Sequence, residues 1–309
     1  MKKLRIIGLI AAMNPEIPLL KRTVASCRGQ VDSVILSDCS TKPEIIEQLQ
    51  QLERESDGFL TVIWNSEDPG GGRMYNQAAR LAIQRGVDWV ITLTDDSPLK
   101  PTLVQTMLDA YSALTPEQQK SVGIITPNLL SIRGFGYPDG EPRITEYGGT
   151  TEGQMVKPIV YATAGFYNED FYMDCIDGEF CHRANAAGFK NLAVPRAVAE
   201  ARWGIPDMRK FFGKTILIPN YAPYRYYYNS RNLLYLYTRK FKLFILQNHE
   251  RHNVIWALIV PRYFIKMLLF EKNKKVKIRA CLRGWWDGIR GRLGPMPKDM
   301  LSWIRPGAR

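Results

Sequence analysis

Residues 162–188, ATAGFYNEDFYMDCIDGEFCHRANAAG, set five carboxylates (Glu169, Asp170, Asp174, Asp177 and Glu179) among aromatic and apolar neighbours. A segment of this composition is expected to be largely buried, and buried carboxylates are costly unless paired, hydrogen-bonded or bound to metal. Such a cluster is a candidate for acid–base chemistry. A plainer reading stands beside it. Asp177 would cap a helix running to Gly188, with Glu179 in the favourable first turn. One residue can do both.

Three other sites carry residue types suited to a nucleotide. Thr94–Asp95–Asp96–Ser97 ends the apolar run VDWVITL. Adjacent carboxylates repel each other unless a cation lies near them, and Mg²⁺ or Mn²⁺ with a nucleotide diphosphate is the usual hard-oxygen partner. Successive strand residues point opposite ways, so one of the two is the direct ligand. GGGRMYN (70–76) combines a flexible turn, a helix start, Arg73 and Asn76. Its amides and Arg73 would attract a diphosphate. It lacks the Lys-Ser/Thr of a Walker A loop and the G-x-G-x-x-G spacing, so the glycines also suit a simple turn. Asp38, in VILSDCST, either accepts hydrogen bonds from a ribose or base edge or forms a turn before Pro43.

These groups must be carried by a regular scaffold, and the first half supplies one. Apolar runs (LRIIGLIAAM, VDSVILSD, GFLTVIWN, VDWVITLTDDS) alternate with amphipathic stretches (PLLKRTVASCRG, PEIIEQLQQLERES, RMYNQAARLAIQRG). Continuously apolar strands separated by helices predict a parallel sheet covered on both faces, with ligands at the C-terminal strand ends. VGIITPNLL reads as a further strand. The Gly/Pro-rich RGFGYPDGEPRITEYGGTTEG reads as a loop beside a site, and NLAVPRAVAEARWG as a late strand. The opening MKKLRIIGLIAAMNPEIP has the look of a leader but is better read as the first buried strand. A boundary is expected near 211–221, giving a catalytic domain over 1–215 and a basic, aromatic helical region over 216–309.

Charge and cysteine usage narrow the class. The chain has 309 residues and a formal net charge of +12. Residues 239–309 hold 17 Lys/Arg against 4 Asp/Glu, so this region carries the whole imbalance. Basic charge of this kind seeks phosphate, on nucleic acid or on an anionic membrane. The run VIWALIVPRYFIKMLLF (254–270) is shorter than a bilayer span and is interrupted by Pro261, Arg262 and Lys266, which favours an interfacial segment. Trp256, Trp285, Trp286 and Trp303 suit a headgroup zone. A basic helical subdomain packed on the main domain is the competing reading. Five cysteines without a C-x-x-C pair, and only three histidines, argue against a zinc site and for reduced thiols in the cytoplasm.

Taken together, the chain resembles the inverting family 2 glycosyltransferases of GT-A fold (Rossmann-like, a mostly parallel sheet flanked by helices), and within them the rhamnosyltransferase-like branch of bacterial surface polysaccharide synthesis. The resemblance runs over nearly the whole chain, through Asn14–Pro15, Asp38, Gly72, Asn76 and TDDSPLKP. It is most specific in GFYNEDFYMDCIDGEFCHRANAAGFK, RYYYNSRN and GWWDGIRGRLG. It implies that Asp38, Arg73, Asn76, Asp95 and Asp96 meet a nucleotide diphosphate sugar. Asp96, at the last acidic place of the Asp-x-Asp motif, would meet Mg²⁺ or Mn²⁺, and Asp177 would be the catalytic base. Glu179, Arg225, Arg231 and Asn232 would lie on the acceptor side. Two departures stand out. Thr94 takes the first acidic place, and Ala201–Arg202–Trp203–Gly204 replaces a histidine that commonly helps hold the metal. The resemblance further implies a glycan or lipid-linked acceptor, no nucleic acid, and a peripheral place at the inner face of the plasma membrane. Rhamnose from deoxythymidine diphosphate rhamnose is the implied sugar. A uridine diphosphate sugar such as galactofuranose or glucose, or a degenerate protein that binds without turnover, stays open.

Overall fold

Short runs of branched apolar residues form the strands, and each ends where a polar turn begins. The computed structural model describes residues 4–131, 134–135, 139–146, 148–200, 202, 207–211, 214–218, 220–239 and 267–304. Two compact units divide the chain: Met1–Glu169 with Ile176–Arg202, and Asp170–Cys175 with Trp203–Arg309.

In the first unit, β1 (Ile6–Ala12), α1 (Ile17–Cys27), β2 (Ser33–Asp38), α2 (Pro43–Arg54), β3 (Leu60–Trp64), α3 (Gly71–Gln84) and β4 (Trp89–Thr94) alternate as the sequence predicts. Next come α4 (Leu103–Ser112), α5 (Pro116–Ser121), β5 (Val122–Ser131), β6 (Gly134–Phe135), β7 (Arg143–Thr145), β8 (Met155–Val156), α6 (Pro158–Ala164), α7 (Ile176–Ala186) and β9 (Lys190–Glu200). The sheet order is β3-β2-β1-β4-β8-β5-β9-β7, with β6 on β5. β1 pairs in parallel with β2 and β4, β2 with β3, and β5 with β9, whereas β8 runs against both β4 and β5.

Alternate strand residues explain the two covered faces. Ile6, Ile10, Val34, Leu36, Ile91 and Leu93 join α1, α2 and α4 in one apolar cluster. The intervening Ile7, Leu9, Ile35 and Val90 are equally buried, on the face where α3 meets β1 and β2. Because chain order reverses at β1, the ends of β1 and β4 face a crevice. The register sets Asp38 beside Ala12 and Thr94 beside Ala11. Two strand spacings, about 10 Å, therefore separate the two polar strand ends.

The sequence reading passed over β6, β7 and β8, and treated residues 133–153 as loop. It likewise passed over α4, α5 and α6.

The second unit contains the antiparallel pair β10 (Asp207–Phe211) and β11 (Lys214–Ile218), then α8 (Pro223–Arg239), α9 (Lys274–Arg290) and α10 (Lys298–Ile304). The pair β10–β11 was not foreseen. Most of the apolar run 254–270, with Trp256, lies outside the described residues, as does Ala201. Among the described residues no helix is long and apolar enough to cross a membrane.

Helices α8 and α9 approach so closely because small residues stand at the contact. A Cβ at Gly284 would come within 2.5 Å of the Tyr227 carbonyl oxygen, and one at Gly288 within 2.6 Å of that of Arg231. Tyr227 Oη adds a hydrogen bond of 3.0 Å to Asp287. Beneath them Lys277 and Glu271 form a buried ion pair at 2.6 Å, joined by the Tyr226 hydroxyl. Replacing Gly288 by Val must displace backbone, so we expect destabilisation of about 1–3 kcal/mol in denaturant unfolding. Gly140→Ala, at an exposed site with open space around it, serves as the unaffected control. An unchanged midpoint for Gly288→Val would contradict the packing described.

Candidate active site

Helix α7 begins at Ile176, so Asp177 stands inside the first turn and does not cap it as one sequence reading had it. Asp177 Oδ1 accepts from the Gly178 amide at 2.9 Å, and the carboxylate lies where helix amides favour negative charge. Gly188 follows the helix with φ +94°, as the helix-stop reading requires. The helix is seated by rings: Phe180 packs on Tyr167 and Tyr161 with centroids 4.6 and 5.1 Å apart.

What brings Asp177 to the strand ends is the segment 148–154. Since β8 runs against β4, the residues before Met155 lie along the C-terminal end of β4. Gly153 N donates to Thr92 O at 2.7 Å, and Thr92 N donates to Gln154 O at 2.9 Å. Gln154 Oε1 accepts from Thr150 N at 3.2 Å and from Cys181 Sγ, one turn along from Asp177, at 3.5 Å. Farther along, Gly149 meets the start of α7 so closely that a Cβ there would fall 2.9 Å from Gly178 Cα and 3.1 Å from the Asp177 carbonyl carbon. Tyr75 sits at this junction and donates to Leu93 O at 2.8 Å. Burial foremost, then the charges of Glu152, Asp95 and Asp177, hold its phenol well above the ordinary range. Asp95 and Asp177 thus bear on one buried ring. Glu152, which hydrogen-bonds the Thr150 hydroxyl, is a carboxylate of this cluster that the sequence reading missed. Its only signal was an acid within a glycine-rich turn.

Asp95 and Asp96 follow β4, both partly exposed. Burial, and next the Asp96 charge, push the Asp95 carboxyl up to about 7. The buried Thr94 hydroxyl beside them has no hydrogen-bond partner. Among the described residues no group of three or more His, Cys, Asp or Glu is arranged to hold a metal. Two adjacent carboxylates fit a hard cation that takes its other ligands from water and a diphosphate, but not one caged by protein.

Several residues expected at ligands hold backbone instead. Asp38 is wholly buried. Its oxygens accept from Ser40 N and Ser40 Oγ, both at 2.8 Å, and burial pushes its carboxyl up. It is the turn residue of the alternative reading, and it orders a turn that Asn14 also holds by accepting from Thr41 N and Lys42 N. Asn76, 1% exposed, donates to Tyr167 O and Glu169 Oε1 and accepts from Tyr167 N at 2.9 Å, which anchors 167–169 on α3. Gly72 is needed for the same approach, with Asn168 O 3.1 Å from its would-be Cβ. Arg73 is exposed and pairs with Glu169 at 2.7 Å. Glu179, 3% exposed, binds Arg183 through both oxygens at 2.9 Å, and Arg183 reaches the carbonyls of Ala164 and Phe166. Glu179 therefore braces α7 through Arg183.

Within the second unit, Arg231 and Asn232 are fully buried. Arg231 donates to Phe171 O at 2.8 Å and Gly294 O at 2.6 Å. Asn232 Nδ2 donates to the carbonyls of Phe171, Met173 and Asp174 at 3.1, 2.7 and 2.9 Å. Arg225 donates to Asp174 Oδ1 at 2.8 Å. These three residues, expected on the acceptor side, gather a segment in which Tyr172, Asp174 and Cys175 all take positive φ (66°, 56° and 65°). Such backbone costs about 1–3 kcal/mol per residue and persists only where its surroundings over-determine it.

Comparisons with known proteins bear on the family and the fold. Residues 9–126 match the model described as Glycosyl transferase family 2. The chain is 23% identical over 303 residues to the dTDP-rhamnosyl transferase RfbF of Shigella flexneri, covering 94% of this chain and 97% of that protein. Its fold is similar to S. aureus TarS 1–349 in complex with UDP-GlcNAc (TM-score 0.55, 15% identity, 97% of this chain and 84% of that one). It is also similar to GalNAc-T7 with UDP, GalNAc and Mn²⁺ (TM-score 0.53, 14% identity), where it overlays 68% of this chain and spans only 44% of the other. Residues 9–126 therefore match the glycosyl transferase family 2 model, within a chain that has the GT-A fold of a glycosyltransferase.

Proposed function

We propose that the protein transfers rhamnose from deoxythymidine diphosphate rhamnose, with inversion, to a lipid-linked or glycan acceptor in bacterial surface polysaccharide synthesis. The match to a dTDP-rhamnosyl transferase along nearly the whole of both chains supports this donor. What carries the reaction is one observation: segment 148–154 links the first turn of α7 to the strand end bearing Asp95 and Asp96.

Asp177 is the general base. It takes the proton of the acceptor hydroxyl as that oxygen attacks the anomeric carbon from the side opposite the diphosphate. One displacement inverts the centre, and the departing diphosphate carries the bonding electrons. Such a base contributes about 10²–10⁴-fold. Asp96, with Asp95 beside it, is the place for Mg²⁺ or Mn²⁺, which when bound would neutralise charge on the diphosphate. Arg73 faces solvent, and an exposed ion pair such as Arg73–Glu169 is weak enough to yield to a phosphate. The excess of basic residues in 239–309 would draw the enzyme to an anionic membrane surface where a lipid-linked acceptor resides. Five free thiols suit the cytoplasmic side.

Asp177→Asn should fold and give the wild-type thermal shift with the donor, while turnover falls by about 10²–10⁴. Near-wild-type transfer would remove Asp177 from the role of base. Asp96→Ala should abolish the Mn²⁺-dependent part of nucleotide binding in a calorimetric titration against deoxythymidine diphosphate. An unchanged titration would take Asp96 out of the site. The same thermal-shift screen, extended to uridine diphosphate sugars, tests the donor, and a larger shift with one of those would overturn rhamnose.

A further inference from the structure

Helix α9 has two faces of opposite character, and only one is explained by the core. Ala280, Cys281, Gly284, Asp287 and Gly288 turn inward and are buried. At 100° per residue the opposite side carries Lys275, Arg279, Leu282, Trp286, Ile289 and Arg290, and all six are exposed. Leu282, Trp286 and Ile289 are 50%, 51% and 56% exposed, which is unusual for three large apolar side chains spaced i, i+4, i+7 on one stripe. The cations flank this stripe. The Arg290 guanidinium lies 3.9 Å from the centroid of the Trp286 ring. The one acid of the helix, Asp287, is on the buried side and paired with Arg283 at 3.0 Å.

We infer that this outer face of α9 is a membrane-surface docking site that seats Leu282, Trp286 and Ile289 among the acyl-chain ends of an anionic bilayer, with Lys275, Arg279 and Arg290 on lipid phosphates. Charge complementarity selects this occupant. Residues 240–266 of the chain hold five Lys/Arg against one Glu, and a second copy would present the same cations, so either would meet like charge. Nucleic acid would satisfy the cations but leave the apolar stripe in water. An interfacial helix with basic flanks, an aromatic anchor and little acidic charge has the required chemistry. This deepens the proposed membrane-side reading by naming the surface that makes the contact. It stands independently of which sugar is transferred.

The test is sedimentation of the full chain with vesicles of equal parts phosphatidylcholine and phosphatidylglycerol, and with phosphatidylcholine alone. Three variants are compared with wild type: Lys275→Glu/Arg279→Glu/Arg290→Glu, Leu282→Ser/Trp286→Ser/Ile289→Ser, and Lys21→Glu/Arg22→Glu/Arg54→Glu. The last makes the same charge change on exposed residues of the first unit. Wild type should bind the anionic vesicles. The cation variant should partition about 100-fold more weakly, from about a fivefold loss for each of the three surface charges. The apolar variant should fall by at least about tenfold, and the first-unit variant should stay within a few-fold of wild type. The single variant Trp286→Ser supplies the same reading should a triple variant fail to fold. Retained binding by either α9 variant overturns the inference, as does an equal loss in the first-unit variant. It is also overturned if wild type is a dimer that the apolar variant splits without any vesicle binding, or if the cations instead govern binding of a random oligonucleotide. Transfer to a soluble glycan acceptor should be unchanged in all α9 variants. A failure of the transferase reading would appear in that assay while leaving the vesicle result intact.

Discussion

Val90 opposite Val156 and Ile91 opposite Met155 make a short antiparallel contact inside an otherwise parallel array. The site depends on it. A parallel neighbour would carry the chain away from the C-terminal edge of β4, whereas this reversed strand delivers 148–154 along that edge. Gly149, where a Cβ would strike the backbone of Gly178, then lets one backbone rest on another at the start of α7. A carboxylate far along the chain is thereby tied to the strand end carrying two more, in a neighbourhood whose buried Tyr75 registers the charges of both.

Polar groups away from this edge obey a common economy. A buried side chain with several donors or acceptors can replace a missing secondary-structure partner for irregular backbone. Asn76 does so for Tyr167, Arg183 for Ala164 and Phe166, and Asn232 for the carbonyls of Phe171, Met173 and Asp174. Each looks, in one dimension, like a residue waiting for a ligand. In three dimensions its bonding capacity is already committed to holding the loops that carry carboxylates.

This accounts for what could be read from the amino-acid order. Branched apolar runs announced β1 to β5 and β9, because strands buried on both faces must be continuously apolar. The end-of-strand acids followed from that register. β8 was illegible, since a two-residue strand has no period. The pair β10–β11, rich in Lys and Arg, resembles solvent-facing chain. The contacts of Asp38, Asn76, Glu179 and Arg231 were illegible for a different reason: residue type declares that a buried polar group must be satisfied, but not by which partner. Only distances tell the partners apart.

The polypeptide passes between the two units three times, after Glu169, after Cys175 and after Arg202. The brief excursion at 170–175 is thus a borrowed segment, covalently continuous with α7 yet held in its left-handed conformation by donors from α8. It follows that the first unit is not a portable cassette. Cutting the chain at residue 202 would leave that excursion without its guanidinium and amide ties, at the very threshold of the helix bearing Asp177.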